Sequence, residues 1–376
     1  MINDRPIIGI TGSCGKTTTR ELIAALLATR WKVFKNHENG NNAWFIERYL
    51  TEIDASHKAL VLEYGLRTPD CIRDCCALIQ PNMAIITNIG RAHLGNFNAN
   101  IQELVKAKAQ IIAGLPAHGY LFLNADDENS RLIKLDEFPG KLIKISIGLP
   151  SDYQAKHIQH DEKGIRFELM LQNTNELIEI ALLGRHNIYN VLFSIAVADN
   201  LGFSATEIKT ALASFYRIKR RLNYYRLANN NHLIDDTCNS SPEANIAAID
   251  VLAELGSGHK IAILGSMLDQ NGHPDAYVAV GKHMVNKIDM LHTLGCIEVG
   301  QDAKIIGEAA IAAGFPKEAV MHHDSHDAFK KWLRQHWTGN NTFLVKGTLT
   351  YSLAYHIARQ SLRLGLLKYH KKTSVL

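Results

Sequence analysis

The stretch from Ile7 to Thr19 constrains this chain more than any other. An apolar run typical of a buried β-strand ends at a glycine-rich turn, and the turn leads directly into a helical pattern. Backbone N–H groups at such a strand–turn–helix junction are unpaired, and the helix dipole there favours an anion. The turn reads Gly12-Ser13-Cys14-Gly15-Lys16-Thr17-Thr18.

Two side chains of the turn extend this prediction to a nucleotide. Lys16 supplies a point charge for the β- and γ-phosphates, and Thr17 places a hydroxyl where a phosphate-bound Mg²⁺ would lie. The alternative is a glycine turn that binds nothing, but the strand–turn–helix context is the one that a phosphate-binding loop requires. The sequence therefore predicts an ATP site with Mg²⁺, in which the nucleotide is contacted by Gly12, Gly15, Lys16, Thr17 and Thr18.

Length and composition exclude several classes of protein. At 376 residues the chain is long enough for two domains. The net charge of +4 is mild and basic residues cluster only at 219–221 and 368–372, so no nucleic-acid partner is predicted. No apolar run reaches membrane-spanning length, and the N-terminus lacks the basic-then-apolar layout of a signal peptide.

Cysteine usage favours a reducing compartment. Six cysteines in a chain of this length do not make a disulfide scaffold. Cys71, Cys75 and Cys76 lie at helical spacing, which leaves a soft-metal site open, but they lack a CxxC pair and buried apolar roles are favoured. Together with the use of ATP, this composition predicts a cytoplasmic protein.

Strand-like apolar runs alternate with helical stretches in the N-terminal third, which indicates a parallel sheet with helices on both faces. Glu63 ends one run and His93 follows another, at the strand ends where open α/β sheets bind ligands. A carboxylate and an imidazole there can share a Mg²⁺ or its waters; local hydrogen bonding in loops is the alternative. Residues 140 to 182 alternate apolar and polar residues, which predicts antiparallel strands attached to the parallel core.

A second series of strands and helices begins at Leu233. It is complete enough to form a doubly wound domain of its own. We therefore predict an α/β fold in which residues 1–221 form a P-loop NTPase-like, mostly parallel sheet with an antiparallel extension. Residues 222–376 form a smaller, Rossmann-like α/β domain. Within it, residues 322–326 (HHDSH) could bind a metal, but a loop that caps the next helix is the favoured interpretation.

Ten stretches, in order, resemble the Mur ligase family, the ATP-dependent amide-bond ligases of peptidoglycan assembly and their relatives. Seven precede the predicted boundary or lie at it: TGSCGKTTT from Thr11, EYG from Glu63, PNMAIITNIGRAHLGNF from Pro81, KAKAQI from Lys106, LNADD from Leu123, GRHNIYN from Gly184 and RRLN from Arg220. Three follow it: IDDTCNSSPEANIAAI from Ile234, LGSM from Leu264 and LVKGT from Leu344. The most similar branch adds D-alanyl-D-alanine to the UDP-muramoyl tripeptide.

The resemblance implies a reaction in which a carboxylate attacks the γ-phosphate of ATP and an amine then displaces phosphate from the acyl phosphate. Lys16 and Thr17 would hold the phosphates and one Mg²⁺, and Glu63 and His93 would hold a second Mg²⁺. Lys108 matches a lysine that is carbamoylated to face this second metal; the alternative is an ordinary helical surface lysine. The residues expected to act in catalysis are Lys16, His93, Lys108 and Arg221.

The resemblance also assigns nucleotide contacts outside the P-loop. His186, Asn187 and Asn190 match the adenine-side motif, and the two asparagines are spaced to share a helix face. Arg221 matches the arginine that reaches the γ-phosphate from the hinge, with Arg220 as the alternative.

In the second domain, Asp236 matches the aspartate at the nucleotide ribose, and Asp235 is the alternative one residue away. Lys346 lies in the family's Lys-Gly-Ser/Thr loop, where the carboxylate of the amine substrate is expected. Asn239 is expected on the same substrate side.

One departure from the family concerns the acid substrate. Mur ligases of peptidoglycan synthesis carry an N-terminal domain for the UDP moiety, whereas this P-loop begins within a dozen residues of Met1. We expect either that UDP is not recognised or that a partner chain supplies its recognition. The substrates expected are a small carboxylate and an amine. Two alternatives stay open: an amidating subunit that receives ammonia from a partner glutaminase, and an inactive ATP-binding regulatory protein.

Overall fold

The computed structural model of the protein describes residues 5–37, 40–267, 274–285, 291–296, 302–323, 325–335, 337–347 and 351–363. The basic stretch at 368–372 lies outside these residues. The chain divides into two compact units, Met1–Ile218 and Lys219–Leu376. The division falls close to the predicted boundary after residue 221.

Unit 1 is built on a parallel sheet with strand order β2-β3-β1-β4-β5-β6-β7. The strands are β1 Ile7–Thr11, β2 Val33–Lys35, β3 Ala59–Glu63, β4 Met83–Ile86, β5 Tyr120–Asn124, β6 Lys141–Ser146 and β7 Tyr153–Gln154. The helices are α1 Lys16–Leu27, α2 Ala43–Tyr49, α3 Cys71–Leu78, α4 Ile101–Ala113, α5 His186–Asn200 and α6 Ala205–Ala213. Because the strands are parallel, the residues that follow β1, β3 and β4 meet at the carboxyl end of the sheet.

Both faces of this sheet are buried, which explains the continuous apolar character of its central strands. On one face, side chains such as Ile8 pack with Leu22 of α1 and Phe193 of α5. On the other face, Ile7 packs in a core that includes Ile111 of α4. The sheet is therefore a rigid support for the loops at the carboxyl ends of its strands.

A separate antiparallel sheet extends unit 1, and it is smaller than predicted. It contains β8 Lys156–Asp161, β9 Gly164–Leu171 and β10 Thr174–Ile180 in the order β10-β9-β8. The prediction of antiparallel strands from residue 140 was wrong for β6 and β7, which continue the parallel sheet. The polar residues of β6 do not mark one exposed face: Lys141 is exposed on the same face as the buried Ile143 and Ile145, and Lys144 is exposed on the other face.

Unit 2 is a second, smaller α/β sheet with strand order β11-β12-β16-β13-β14-β15, in which β11 is antiparallel to β12 and the other neighbouring pairs are parallel. Its strands are β11 Asn223–Arg226, β12 His232–Asp236, β13 His259–Leu264, β14 Leu291–Cys296, β15 Val320–His323 and β16 Asn341–Lys346. Its helices are α7 Pro242–Leu255, α8 Pro274–Met284, α9 Asp302–Ala312, α10 His326–Gln335 and α11 Tyr351–Arg363. The predicted fold class is confirmed for both units. β11 was not predicted, because a short, polar and largely exposed strand carries little periodicity.

Two local interpretations can be compared with the structure. Ser325 Oγ accepts the N–H of Ala328 at 3.2 Å, so the helix-capping interpretation of residues 322–326 is confirmed, although Asp324 lies outside the described residues. Cys75 and Cys76 are buried, and burial raises the pKa of both thiols to about 12, as the apolar interpretation requires. The interpretation was wrong for Cys71, which is half-buried and lies with its Sγ 3.0 Å from Thr68 Oγ1. Across the described ranges, no three or more His, Cys, Asp or Glu side chains are grouped to hold a metal. Within the same ranges, no helix is both long and apolar enough to cross a membrane.

Candidate nucleotide and metal site

The glycine-rich turn lies between β1 and α1, and two of its glycines adopt conformations that other residues rarely adopt. Gly15 is the N-cap of α1 with a φ of +86°, and Gly12 has a φ of +144°. A Cβ at Gly12 would overlap Thr87 Oγ1, and a Cβ at Gly15 would overlap Asn190 Oδ1. Glycine is therefore required at both positions.

The predicted phosphate ligands lie together at the start of α1. The helix begins at Lys16, and none of the described side chains caps it, so the N–H groups of its first turn suit an anion. Lys16 Nζ donates to Gly12 O at 2.6 Å and to Ser13 O at 3.5 Å, which keeps the ammonium beside the turn. Thr17 and Thr18 belong to the same first turn.

Asn88, which the sequence analysis did not single out, holds the turn in place. It follows β4, and its Oδ1 accepts the N–H of Cys14 at 3.0 Å while its Nδ2 donates to Cys14 O at 3.1 Å. Its backbone carbonyl accepts the N–H of Ser13 at 3.0 Å. Thr87 Oγ1 donates to Cys14 O at 2.6 Å. The signal that could have found these two residues is the TNIG stretch directly after a core strand.

We expect Asn88→Ala to raise the KM for ATP about tenfold, because the two hydrogen bonds that fix the backbone N–H and C=O of Cys14 are lost. The control is Asn82→Ala. Asn82 makes the same kind of pair, accepting from Ile7 N at 2.9 Å and donating to Arg5 O at 2.8 Å, at the opposite end of β1. Both variants should lose comparable stability in thermal unfolding. An equal rise in KM in both would contradict the role given to Asn88.

Glu63 ends β3 and is held by two residues that the sequence analysis missed. Asn36 Oδ1 accepts the N–H of Glu63 at 2.5 Å, and Asn36 Nδ2 donates to Glu63 O at 3.2 Å. Arg20 of α1 places Nη1 3.0 Å from Glu63 Oε1, and both side chains are buried. Arg20 also donates to Glu21 Oε1 at 2.6 Å, so it keeps a counter-charge without Glu63, whereas the buried carboxylate of Glu63 would lose this ion pair without Arg20. A carboxylate can contact the arginine with one oxygen and a cation with the other.

His93 is a neutral imidazole in this site. Burial is the main cause that lowers its pKa to about 3. Three nearby cations lower the pKa further, in the order Lys16, Lys108 and Arg67. A neutral imidazole keeps a ring nitrogen with a lone pair, which is the form that binds a metal ion.

Lys108 is buried rather than on the helix surface. Its side chain is 0% exposed on the inward face of α4, beside the core residues Leu104 and Ile111. The surface-lysine alternative is therefore wrong. Positive charge on Lys108, like that on Lys16, lowers the pKa of His93.

The asparagines predicted on the adenine side share a helix face and take part in a network within unit 1. Asn190 Nδ2 donates to Asn187 Oδ1 at 2.7 Å, and Asn187 Nδ2 donates to Leu183 O at 2.7 Å. Asn190 Oδ1 accepts from Thr19 Oγ1 at 3.1 Å, which ties α5 to the P-loop helix. His186 is the exposed first residue of α5. Contacts of these residues with adenine stay a prediction.

In unit 2, the structure pairs two residues that the sequence analysis assigned to different ligands. Lys346 Nζ lies 2.7 Å from Asp236 Oδ2, across the adjacent strands β16 and β12, and both side chains are buried. Lys346 also donates to Asn239 O at 3.2 Å. Because the Lys346 ammonium is buried and already pairs with Asp236, these contacts argue against the predicted contact of Lys346 with the carboxylate of the amine substrate. Asn239 itself is exposed.

Comparison with known proteins identifies the family. Residues 10–198 match the Mur ligase middle domain, and residues 220–349 match the Mur ligase glutamate ligase domain. The chain is 31% identical over 324 residues to the UDP-N-acetylmuramoyl-tripeptide–D-alanyl-D-alanine ligase of Haemophilus influenzae, covering 85% of this chain and 69% of that protein. The chain belongs to the Mur ligase family. The predictions of this family and of a ligase are thereby confirmed.

Other relatives of this Mur ligase carry the same name. The enzyme of Bacillus subtilis is 27% identical, covering 91% of this chain and 73% of its own length. That of Escherichia coli is 30% identical, covering 73% of this chain and 61% of its own length. This Mur ligase thus spans about two thirds of the length of the curated relatives that it matches.

Solved structures share the fold. MurF from Acinetobacter baumannii superimposes with a TM-score of 0.84 at 22% identity, covering 96% of this chain and 77% of that chain. The MurF ligase from Thermotoga maritima, solved in complex with ADP, gives a TM-score of 0.79 at 22% identity, with 96% and 79% covered.

Proposed function

We propose that this Mur ligase uses ATP to join a carboxylate substrate to an amino acid or short peptide through an acyl phosphate. The names of its relatives make UDP-N-acetylmuramoyl-tripeptide the first acid to test and D-alanyl-D-alanine the first amine. The ADP complex of the Thermotoga maritima ligase supports ATP as the nucleotide. Free cysteines among the described residues, and ATP as substrate, support the cytoplasm as the compartment.

One observation carries the proposal. The glycine-rich turn keeps Lys16 and the start of α1 at the end of β1, and the buried carboxylate of Glu63 ends the neighbouring parallel strand β3. A carboxylate that attacks a γ-phosphate brings two anions together, and the barrier falls when fixed positive charge surrounds them. In this proposal the N–H groups of the P-loop and Lys16 hold the phosphates, and Asn88 keeps the loop in the shape that they need.

Mg²⁺ fits the residues that are present. The neutral imidazole of His93, the buried carboxylate of Glu63 and the hydroxyl of Thr17 are the groups that would hold it. Mg²⁺ keeps several waters and binds few protein ligands beside phosphates, so a group of three acidic or imidazole ligands is not required. When bound, Mg²⁺ supplies charge neutralisation at the phosphate and acyl oxygens.

We propose further that Lys108 acts as its carbamate. Burying an ammonium is costly, and the carbamate replaces it with an anion at the same place, one that can bind a metal ion. The unprotonated amine adds to CO₂, a N–C bond forms, and the proton released goes to water. The carbamate would then face the metal.

The test is ADP release with Mg²⁺ and bicarbonate, using UDP-N-acetylmuramoyl-tripeptide with D-alanyl-D-alanine, single amino acids or ammonium as the amine, and products weighed by mass spectrometry. We expect ADP release coupled to a new amide mass with an amino acid or D-alanyl-D-alanine. Turnover with ammonium equal to that with any amino acid would favour an amidating subunit. ATP binding without turnover for any pair, including other carboxylates, would overturn the proposal in favour of a regulatory protein.

A further inference from the structure

The segment at the start of unit 2 has an unusual backbone. Arg220 has a φ of +62° and Leu222 a φ of +49°, both in the left-handed region that side chains disfavour. Arg221 lies between them. Non-glycine residues persist in such conformations only where their surroundings hold them, and these positions often serve function. The first question is therefore what holds residues 220–222.

One set of contacts fixes Arg220 to the loop after β12. Arg220 Nε donates to Thr237 Oγ1 at 3.0 Å, and Arg220 Nη2 donates to Thr237 O at 2.6 Å. The carbonyl of Arg220 accepts the N–H of Cys238 at 3.0 Å. Thr237 Oγ1 in turn donates to Asp235 Oδ1 at 2.7 Å, which orients the hydroxyl so that its lone pairs face Arg220.

A second set of contacts fixes Leu222. Asp236 Oδ1 accepts the N–H of Leu222 at 3.2 Å, while Asp236 Oδ2 lies 2.7 Å from Lys346 Nζ. The buried lysine thereby holds the carboxylate in the orientation that Leu222 needs. Asn223 adds a contact to the residue between them, since its Oδ1 accepts the N–H of Arg221 at 3.2 Å.

The side chain of Arg221 is not used in these contacts. Among the described residues, its buried Nε has no hydrogen-bond partner, in contrast to the guanidinium of Arg220, which is bound twice to Thr237. Arg220 therefore anchors the segment through its side chain, whereas Arg221 is fixed through its backbone.

We infer that Thr237, Arg220 and the Asp236–Lys346 pair are positioning residues for Arg221. They act through the backbone of residues 220–222, and Arg221 is the arginine that the family resemblance assigns to the γ-phosphate. This inference rests on the proposed function. It distinguishes Arg220 from Arg221, and it gives Asp236 and Lys346 a shared role inside unit 2.

The test is a double-mutant cycle between Thr237→Val and Arg221→Ala in the ligase assay. Thr237→Val keeps the shape of the side chain but removes the hydroxyl, so we expect kcat to fall about tenfold while the KM for ATP stays within twofold. If Thr237 acts through Arg221, the double variant will be no slower than Arg221→Ala alone. Thr237→Ser, which keeps the hydroxyl, should restore kcat.

Thr342→Val is the matched control. Thr342 Oγ1 donates to Ser257 O at 2.8 Å and accepts the N–H of Ser257 at 3.0 Å. This pair lies at the other end of the unit 2 sheet. Thr342→Val should lower thermal stability as Thr237→Val does, without changing kcat. Amide hydrogen exchange of residues 219–224 supplies a readout that does not depend on turnover, and exchange there should be faster in Thr237→Val but not in Thr342→Val.

The outcomes separate the two proposals. The positioning role would be overturned if the kcat of the double variant fell by the product of the two single losses, or if Arg221→Ala kept full activity. The ligase proposal would remain intact in both cases. Unchanged amide exchange of residues 219–224 in Thr237→Val would contradict the claim that Thr237 holds this segment. No turnover by the wild-type protein with any substrate pair would overturn the proposed function and this role with it.

Discussion

Replacing Lys108 by Ala is expected to lower kcat by about 10²- to 10³-fold, the loss typical for one preorganised electrostatic group. The affinity for ATP should change little, because the P-loop of unit 1 is formed by other residues. The physical reason is the position of Lys108, fully buried on α4 and close enough to act on His93. Turnover and ATP binding, measured by ADP release and calorimetry, separate the two effects.

Lys106→Ala is the control for this experiment. Lys106 lies on the same helix but is exposed and pairs with Glu103 at 2.8 Å, so its removal should leave kcat unchanged. ¹³C-bicarbonate should give a carbamate resonance in the wild-type protein and in Lys106→Ala, and none in Lys108→Ala. Full turnover by Lys108→Ala would contradict its catalytic role, whereas loss of turnover without any carbamate signal in the wild type would contradict the modification alone.

Gly15→Ala is expected to weaken ATP binding at least about 100-fold. The substitution adds a Cβ where φ is +86°, which by itself costs about 1–2 kcal/mol. The Cβ would also overlap Asn190 Oδ1, and that amide is held by Thr19 and Asn187 and so yields poorly. The P-loop must then move away from its phosphate-binding shape. Calorimetric titration with ATP measures the loss.

Gly202→Ala is the control for the strain that a side chain causes at a positive φ. Gly202 has a φ of +78°, but no atom lies within 4 Å of the Cβ that would be added. It should lose a similar amount of stability to strain and keep its affinity for ATP. Gly15→Ala should weaken ATP binding less in an Asn190→Ala background than in the wild-type background, because the overlap is absent there. An equal loss in both backgrounds would assign the whole effect to backbone strain.

The sequence predicted those parts of the site that depend on local pattern. The spacing of Gly12, Gly15 and Lys16 predicted a glycine-rich turn between a strand and a helix, and the structure has this turn at the junction of β1 and α1, whereas phosphate binding there stays a prediction. The apolar runs predicted parallel strands because both faces of the central sheet are buried. The antiparallel prediction was wrong for β6 because two exposed lysines, Lys141 and Lys144, interrupt its apolar residues although the strand pairs in parallel with β5.

The contacts that hold the site depend on residues far apart in the chain, and local pattern does not reveal them. Asn88 contacts Cys14 across 74 positions. Lys346 meets Asp236 only because β16 lies beside β12 in the sheet, although β13, β14 and β15 separate them in sequence. Each of these residues was either missed or given a separate ligand, because its partner is determined by strand order.

The measurement that tests the central claim most directly is oxygen transfer from the acid substrate. The carboxylate of the acid that supports turnover is labelled with ¹⁸O, and the inorganic phosphate released is weighed after one round of ligation. Reaction through an acyl phosphate predicts one ¹⁸O atom in each phosphate, because the carboxylate oxygen that attacks the γ-phosphate leaves with it. Unlabelled phosphate released together with the amide product would contradict the account.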